Sequence, residues 1–427
     1  MKTVRKQKLA IFVGAVRQTD YAHIQDMGYD IALFRDKTCP LVPSHNPRDF
    51  RLICSLDCCT AQSDDLLKLL SGWYDHTLLL TTIETSVLDH AIIARKHGYR
   101  APTVEAARSA LDKTEMRRRF RESLGQDKTI PFALIKNEKD LFRFAGDAGF
   151  PLVLKPVNLF GSMFVSLCRS ERESIETYRK NRILIRDFLN RLGREDEPVL
   201  IQAESFISGR CLSVDVVVDS KGDFYPTPVV DIWTNQDFSR AGFAHLARFL
   251  PSSLSPDHQE KAVALAGDAV HALGLTNCIA HVEMIMGAEG PKLLEAAARI
   301  GGGRNALVET ALGFSLIGEY VRVLRGDKPV MAAPAMNPGR AKFVSVISPF
   351  PKSPGFYVDA PGLHRVKKAC PEFVSAVVRA KPGERIGPAD AGFLPPANLT
   401  LQSERAKTLK DVARSILDDS HFYTLCV

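Results

Sequence analysis

The chain has no run approaching the roughly 18 consecutive apolar residues of a membrane-spanning helix, no internal repeat and no low-complexity tract. Transmembrane, solenoid and fibrous architectures are therefore not expected, nor is a membrane partner. A paired cysteine framework is missing too: Cys39, Cys54, Cys58, Cys59, Cys168, Cys211, Cys278, Cys370 and Cys426 are odd in number and scattered through apolar contexts. The tightest group, Cys54, Cys58 and Cys59, lacks a second cysteine pair or a nearby histidine at zinc spacing. Reduced, buried thiols in a cytoplasmic compartment are the expectation. The basic start, Met1 to Lys8, runs into apolar residues 9–16 without a small-residue cleavage site, which reads as a strand rather than a signal peptide. Aromatic residues are only 8% of the chain and basic residues are dispersed, so no stacking platform for nucleic acid is offered.

What is present is ordinary globular material: 427 residues, 45% apolar and 25% charged, with 56 basic against 49 acidic side chains. That mild excess of +7 suits an anionic ligand as readily as nucleic acid. Short apolar runs at 9–16, 30–34 and 77–83 suit parallel strands covered on both faces, giving an open α/β domain over residues 1–100. Gly14 ends the first strand alone, which falls short of a dinucleotide fingerprint. A helix over 113–124 carries Arg117, Arg118, Arg119 and Arg121, read as a solvated basic face. From residue 131 strands and helices alternate: strands at 132–135, 152–156, 199–202, 212–218, 280–286 and 292–295, and helices at 138–148, 179–194 and 256–273. Ile183, Ile185, Phe188, Leu189 and Leu192 are the expected apolar stripe of the second helix. Divisions fall at 101–203, 204–335 and a loop-rich C-terminal subdomain, 336–427, where proline and glycine are dense.

Two constellations carry chemistry. Lys155 ends the apolar run Leu152-Val153-Leu154, where an ammonium facing the interior is costly unless it meets an anion. The turn containing Gly161-Ser162 follows, and such a turn can aim N–H groups at phosphate oxygens; a plain hairpin with a surface lysine is the alternative. Glu283 and Glu295 lie twelve residues apart in flanking strands with Gly287, Gly290 and Pro291 between them. A hairpin of that length sets two carboxylates side by side, and oxygen-only ligation beside phosphate suits magnesium. Arg299, Gly301-Gly302-Gly303 and Arg304 come next, alternating cation and carboxylate; a structural ion-pair cluster is the alternative.

These stretches resemble the ATP-grasp superfamily of carboxylate–amine ligases, within it the L-amino-acid (dipeptide) ligases. The resemblance is carried by Leu111-Asp112-Lys113 with Met116, Leu152 to Pro156, Glu204-Ser205-Phe206-Ile207-Ser208-Gly209, the pair His281 and Glu283, and Glu295 to Arg299 with the glycines behind it. It implies an α/β ATP-grasp fold with a Rossmann-like N-terminal domain, a small subdomain (101–203) holding the lid and phosphate lysines, and a large one (204–335) holding the adenine hinge and metal site. It further implies that Lys113 and Lys155 contact ATP phosphates under a lid at Gly161-Ser162. Glu204 with the backbone of Ser205 and Ile207 would edge the adenine, and Ile285 would pack on it. Glu283 and Glu295 would hold magnesium, two ions with manganese as a substitute, and Arg299 with the N–H groups near Gly302 and Gly303 would face the acyl intermediate. The implied activity is ATP-dependent amide formation through an acyl phosphate, releasing ADP and phosphate and joining an amino acid to another amino acid or amine. Relatives are often dimers, which makes a homodimer an expectation by analogy.

Two departures stand out. Ala297 occupies the position where many relatives have a metal-shell asparagine, and Cys211 replaces a ribose glutamate, with Asp215 as substitute. Substrate contacts are assigned to Arg304 for a carboxylate, Glu84 for an amine, and His245 and Trp233 for the acceptor pocket, each with a structural role as the alternative. A biotin-carboxylase-like enzyme and a degenerate nucleotide-binding scaffold are the competing readings.

Overall fold

The computed structural model describes residues 8–35, 51–55, 60–159, 161–191, 193–331 and 342–426. Cys39, Cys58, Cys59, Phe160 and Leu192 lie outside the described residues; the described cysteines Cys54, Cys168, Cys211, Cys278, Cys370 and Cys426 are free thiols.

The N-terminal strands Lys8–Val13, Tyr29–Arg35 and His76–Leu80 form a parallel sheet with a fourth strand, Leu52–Ser55, that the apolar pattern did not reveal. Spatial order runs 52–55, 29–35, 8–13, 76–80. The chain therefore leaves the first strand toward one edge and returns on its other side, a switch point where the loops at the carboxyl ends part and open a crevice. Gly14 stands at that point with φ of +84°. A Cβ there would sit 1.7 Å from Ser86 Oγ, so the glycine permits close approach of the two loops rather than cradling a cofactor.

Helix Lys113–Leu124 shows why its arginines differ. Lys113, Met116, Arg117 and Phe120 share the buried i, i+3, i+4, i+7 stripe, whereas Arg118 and Arg119 pair with Glu115 on the outside. Arg117 is fully buried, contrary to the expected solvated face. The helix expected at 179–194 spans Glu171–Arg191 and buries Ser174, Tyr178, Asn181, Ile185 and Leu189. Ile183 is off that stripe and 64% exposed.

A small antiparallel sheet orders strands Phe132–Ile135, Ile201–Ser205, Leu152–Pro156 and Ser166–Cys168. Beyond it a nine-stranded sheet begins with Gly290–Ala297, Cys278–Gly287, Arg210–Val218, Val230–Thr234 and His245–Leu250. It continues through the C-terminal strands Phe343–Ile347, Ala397–Ser403 and Phe373–Val378, and the ninth strand, Phe224–Pro226, pairs off this path with Arg210–Val218. The C-terminal segment thus extends the large sheet, and the boundary read at residue 336 does not divide it. Helices Val104–Leu111 and Pro256–Leu273 cover one face. Helix Leu316–Arg325 shares a core with Phe12, Leu78, Leu80, Val217 and Ile279, tying the N-terminal sheet to the large one. No described helix is long and apolar enough to cross a membrane.

Candidate active site

The carboxyl ends of the N-terminal strands and the facing surfaces of the small and large sheets enclose a cavity of about 1360 Å³. Ordinary small-molecule sites hold roughly 300–1,000 Å³, so this one has room for a nucleotide and further substrates. One wall is apolar, with Ile130, Val153, Phe206, Ile207, Ile285 and Leu294. The Ser205 N–H already donates to the Pro131 carbonyl at 3.0 Å, which leaves that residue's backbone only a carbonyl to offer an adenine edge.

At the next stretch of wall three donors converge on one oxygen. Glu204 Oε1 accepts from Lys155 Nζ at 2.7 Å, Arg117 Nε at 2.8 Å and Gln202 Nε2 at 2.8 Å. Burial pushes the Glu204 carboxyl up, but Arg117 and Lys155 outweigh it and hold its pKa at about 2. Burial lowers Lys155 to about 8, with Arg117 and Lys113 adding to the effect and Glu204 opposing it. The carboxylate expected at the adenine edge is therefore engaged in holding the phosphate lysine. Lys113 Nζ donates to the Leu159 carbonyl at 2.6 Å and lies 3.6 Å from Glu295 Oε2.

Antiparallel pairing places Glu283 directly opposite Glu295, so both carboxylates stand on one face. His281 Nε2 lies 3.1 Å from Glu283 Oε1 and His245 Nδ1 3.6 Å from it. Burial pushes Glu283 up, yet His245, His281 and Arg299 hold it well below the usual carboxylate range. Glu295 goes the other way: burial, Glu84 and Glu283 raise it against the pull of Lys113. Two facing carboxylates of which one resists ionisation are a donor set short of a cation. Among the described residues no third acidic, histidine or cysteine side chain completes a protein-only cage. That fits magnesium, which takes one or two carboxylates and fills its octahedron with phosphate oxygens and water. Ala297 is buried opposite His281 and adds no donor.

Arg299 reaches across the crevice to Glu84, Nε to Oε2 at 2.8 Å. Glu84 sits just past the strand His76–Leu80 and is bonded to this guanidinium rather than free for an amine. Gly161, Ser162, Cys211, His245 and Gly302 also line the cavity. Ser162 and Gly161 hold positive φ, 57° and 70°, and a Cβ added at Gly161 would meet Leu394 Cδ2 of the C-terminal segment at 3.3 Å. Gly302 faces open space, whereas a Cβ on Gly301 would meet His281 Nδ1 at 2.5 Å.

Three expected ligand residues are placed elsewhere. Asp215 is buried between His281, 3.1 Å away, the Gly301 N–H, 3.1 Å away, and Arg304, 3.3 Å away. It braces His281 and does not line the cavity where a ribose would lie. Arg304 is fully buried and bonds Ser213 Oγ, so it does not reach a substrate carboxylate. Trp233 packs edge-on against Phe249 and Phe238 under Arg414, in the C-terminal core. A charged pair between a strand and a helix far along the chain, such as Asp215 with Arg304, leaves no local sequence trace, which is why the first two were misplaced. Arg17, Arg248 and Arg379 line the cavity and went unnoticed, being single arginines outside any motif. Arg117 had a readable signal: it shares its helical stripe with Met116 and Phe120.

Residues 148–306 match the family model of the ATP-grasp domain. Alanine–anticapsin ligase of Bacillus subtilis is 26% identical over 253 residues, 56% of this chain and 51% of that protein. Dapdiamide A synthase of Enterobacter agglomerans is 25% identical over 213 residues, 48% of each. The chain spans about half the length of the curated relatives it matches. Among solved structures, an L-amino acid ligase from Bacillus licheniformis superposes with a TM-score of 0.75 at 18% identity, covering 99% of this chain and 100% of that one. N5-carboxyaminoimidazole ribonucleotide synthetase from Thermotoga maritima does so at 0.67 and 15%, covering 96% and 97%. Residues 148–306 of the chain are thus an ATP-grasp domain, set in an α/β ATP-grasp fold, and the chain is similar to alanine–anticapsin ligase and to the solved L-amino acid ligase.

Proposed function

We propose that this protein is an ATP-dependent carboxylate–amine ligase that joins an amino acid to a second amino acid or amine, releasing ADP and phosphate. The observation that carries the reading is the pairing of Glu283 with Glu295 in one cavity with Lys113, Lys155 and Arg299. Alanine–anticapsin ligase and dapdiamide A synthase, named for such joining reactions, support the substrate class.

Lys113 and Lys155 would hold the ATP phosphates, and Ile207 and Ile285 would sandwich the base. Magnesium, held by Glu283 and Glu295, would supply charge neutralisation on the phosphates during transfer. Arg299, fixed by Glu84, would orient the substrate carboxylate as its oxygen attacks the γ-phosphorus and ADP leaves with the bond's electron pair. The Gly161-Ser162 turn, which lines the cavity with Leu394, would keep water from the acyl phosphate that results. The amine lone pair then attacks the acyl carbon; the C–N bond forms as the C–O bond to phosphate breaks. Phosphate departs with that electron pair, and the ammonium proton passes to phosphate or solvent.

The test is release of ADP and phosphate from MgATP with amino acids offered in pairs, the products weighed by mass spectrometry. A product equal to both substrates minus water supports the reading. AMP and pyrophosphate, or ADP formed only with bicarbonate, would sink it.

Lys155 adds a pH signature. Its folded pKa of about 8 lies below the ordinary 10.5, so free enzyme loses this cation as pH rises through 8. The expected result is an alkaline limb near pH 8 in kcat/KM for ATP, which reports free-enzyme ionisations. Lys155→Arg should carry that limb above pH 10, since guanidinium stays charged; a limb that does not move would assign it to another group.

A further inference from the structure

Four neighbouring strands of the large sheet end side by side at the cavity, and they lay a row of polar groups along it. Arg248 comes from His245–Leu250, Ser348 follows Phe343–Ile347, Asn398 lies in Ala397–Ser403, and Arg379 follows Phe373–Val378. Arg248 Nη1 donates to Ser348 Oγ at 3.0 Å. One orientation of the Asn398 amide satisfies its neighbours: its nitrogen donates to Ser348 Oγ at 2.8 Å, and its oxygen accepts from Arg379 Nη2 at 2.9 Å. The two guanidiniums are thus joined into a single fixture.

Neither has a carboxylate partner in ion-pair contact among the described residues. The acidic groups nearest in field are already engaged, Glu283 with His281 and Asp20 with Arg17. Burial, with Arg304 and Arg379, presses Arg248 down to about 9. Deeper along the cavity Lys155 is paired with Glu204, Lys113 with Glu295, Arg299 with Glu84 and Arg17 with Asp20, whereas the exposed Lys381 and Arg385 at its rim have no ion pair among the described residues. Arg248 is half-buried and Arg379 is open to solvent at the cavity; held in one fixture with no carboxylate beside them, their forks are free to take the carboxylate of an incoming ligand.

We infer that Arg248 and Arg379, bridged by Ser348 and Asn398, bind the carboxylate of the amine-bearing substrate, which makes that acceptor an amino acid rather than a simple amine. This rests on the ligase reading above. The row occupies the last four strands in the sheet's order, His245–Leu250 and the three C-terminal strands, while Glu283 and Glu295 stand on the first two, so the fixture is apart from the carboxylate being activated. The donor's carboxylate loses its charge on becoming an acyl phosphate; the acceptor's keeps its charge into the product and needs a permanent counter-charge. Cations beside the acceptor ammonium also favour its neutral, nucleophilic form.

The test compares acceptors with and without the carboxylate. Common L-amino acids other than aspartate and glutamate, and their α-amides, are offered at saturating MgATP. Amides should be used with KM at least about 10-fold higher than the acids, and Arg379→Gln and Arg248→Gln should each raise KM for the acid about 10- to 100-fold. KM for ATP should stay within two-fold, Arg379→Lys should recover part of the loss, and the amides should be little affected. Amides accepted as well as acids, or a variant that raises KM for both alike, would overturn the assignment. A second readout needs no turnover: phenylglyoxal modification of Arg248 and Arg379, read by peptide mass spectrometry with MgADP present. Protection by the pooled acids and not by the pooled amides supports the subsite even if no ligase product forms, in which case only the ligase reading fails. Equal labelling with both pools refutes the subsite whatever the activity.

Discussion

Glu295→Gln is expected to lower ADP release about 1,000-fold or more, because metal-borne charge neutralisation and electrostatic positioning each supply several kcal/mol of transition-state stabilisation. The substitution keeps the side-chain volume and removes one negative charge from a pair that faces across two strands. Fold is expected to survive. Burial, Glu84 and Glu283 already oppose ionisation of Glu295, so without metal the neutral amide relieves repulsion, and Lys113 keeps its bond to the Leu159 carbonyl. Melting in chelator should therefore be unchanged or higher, while the protection that magnesium and ADP give wild type should shrink. Full turnover in this variant would refute the metal assignment. A large drop in melting temperature would instead identify the pair as structural.

Glu204→Ala should be the most damaging single change to stability, costing about 3–5 kcal/mol, the range for removing one partner of a buried ion pair. Lys155 and Arg117 both spend their charge on Glu204 Oε1, and without it two buried cations repel each other. Arg117 also donates to the Leu293 carbonyl of the large sheet, so the loss loosens the joint between the two sheets that form the cavity. Urea or thermal unfolding would register it, and a variant as stable as wild type would show that the cations relax into solvent. Acid should mimic the mutation. Glu204 titrates near 2 folded against 4.5 ordinarily, so its contribution is complete above pH 4.5 and is lost as pH falls from there through 2.

The elements that were readable along the chain owe it to short-range physics. Helix 113–124, strand 152–156 and helix 256–273 follow from apolar period and caps within a few residues, such as Asp112 accepting from the Thr114 and Glu115 N–H groups. The hairpin that carries the two carboxylates was readable for the same reason, but its turn alone, pairing Gly287 with Gly290 and Met284 with Leu293, would set Leu294 opposite Glu283; an irregularity between Glu283 and Met284 shifts the register by one residue and brings Glu295 there. Strand Leu52–Ser55 was not, because four residues carry too little pattern.

What the sequence by itself determined, then, is a run of short motifs that together resemble the ATP-grasp enzymes, with Lys155 at the end of an apolar strand and two acids on the arms of one hairpin. Only the tertiary structure decided which charges meet. Arg299 finds Glu84 across 215 residues, Arg304 finds Asp215, and Arg117 finds Glu204 across 87. Coulomb attraction between buried groups depends on where the sheets set them in space and on the low dielectric between them, not on their distance along the chain. The same reason hid Arg248 and Arg379, two isolated arginines until neighbouring strands brought them to one edge of the cavity without an anion between them.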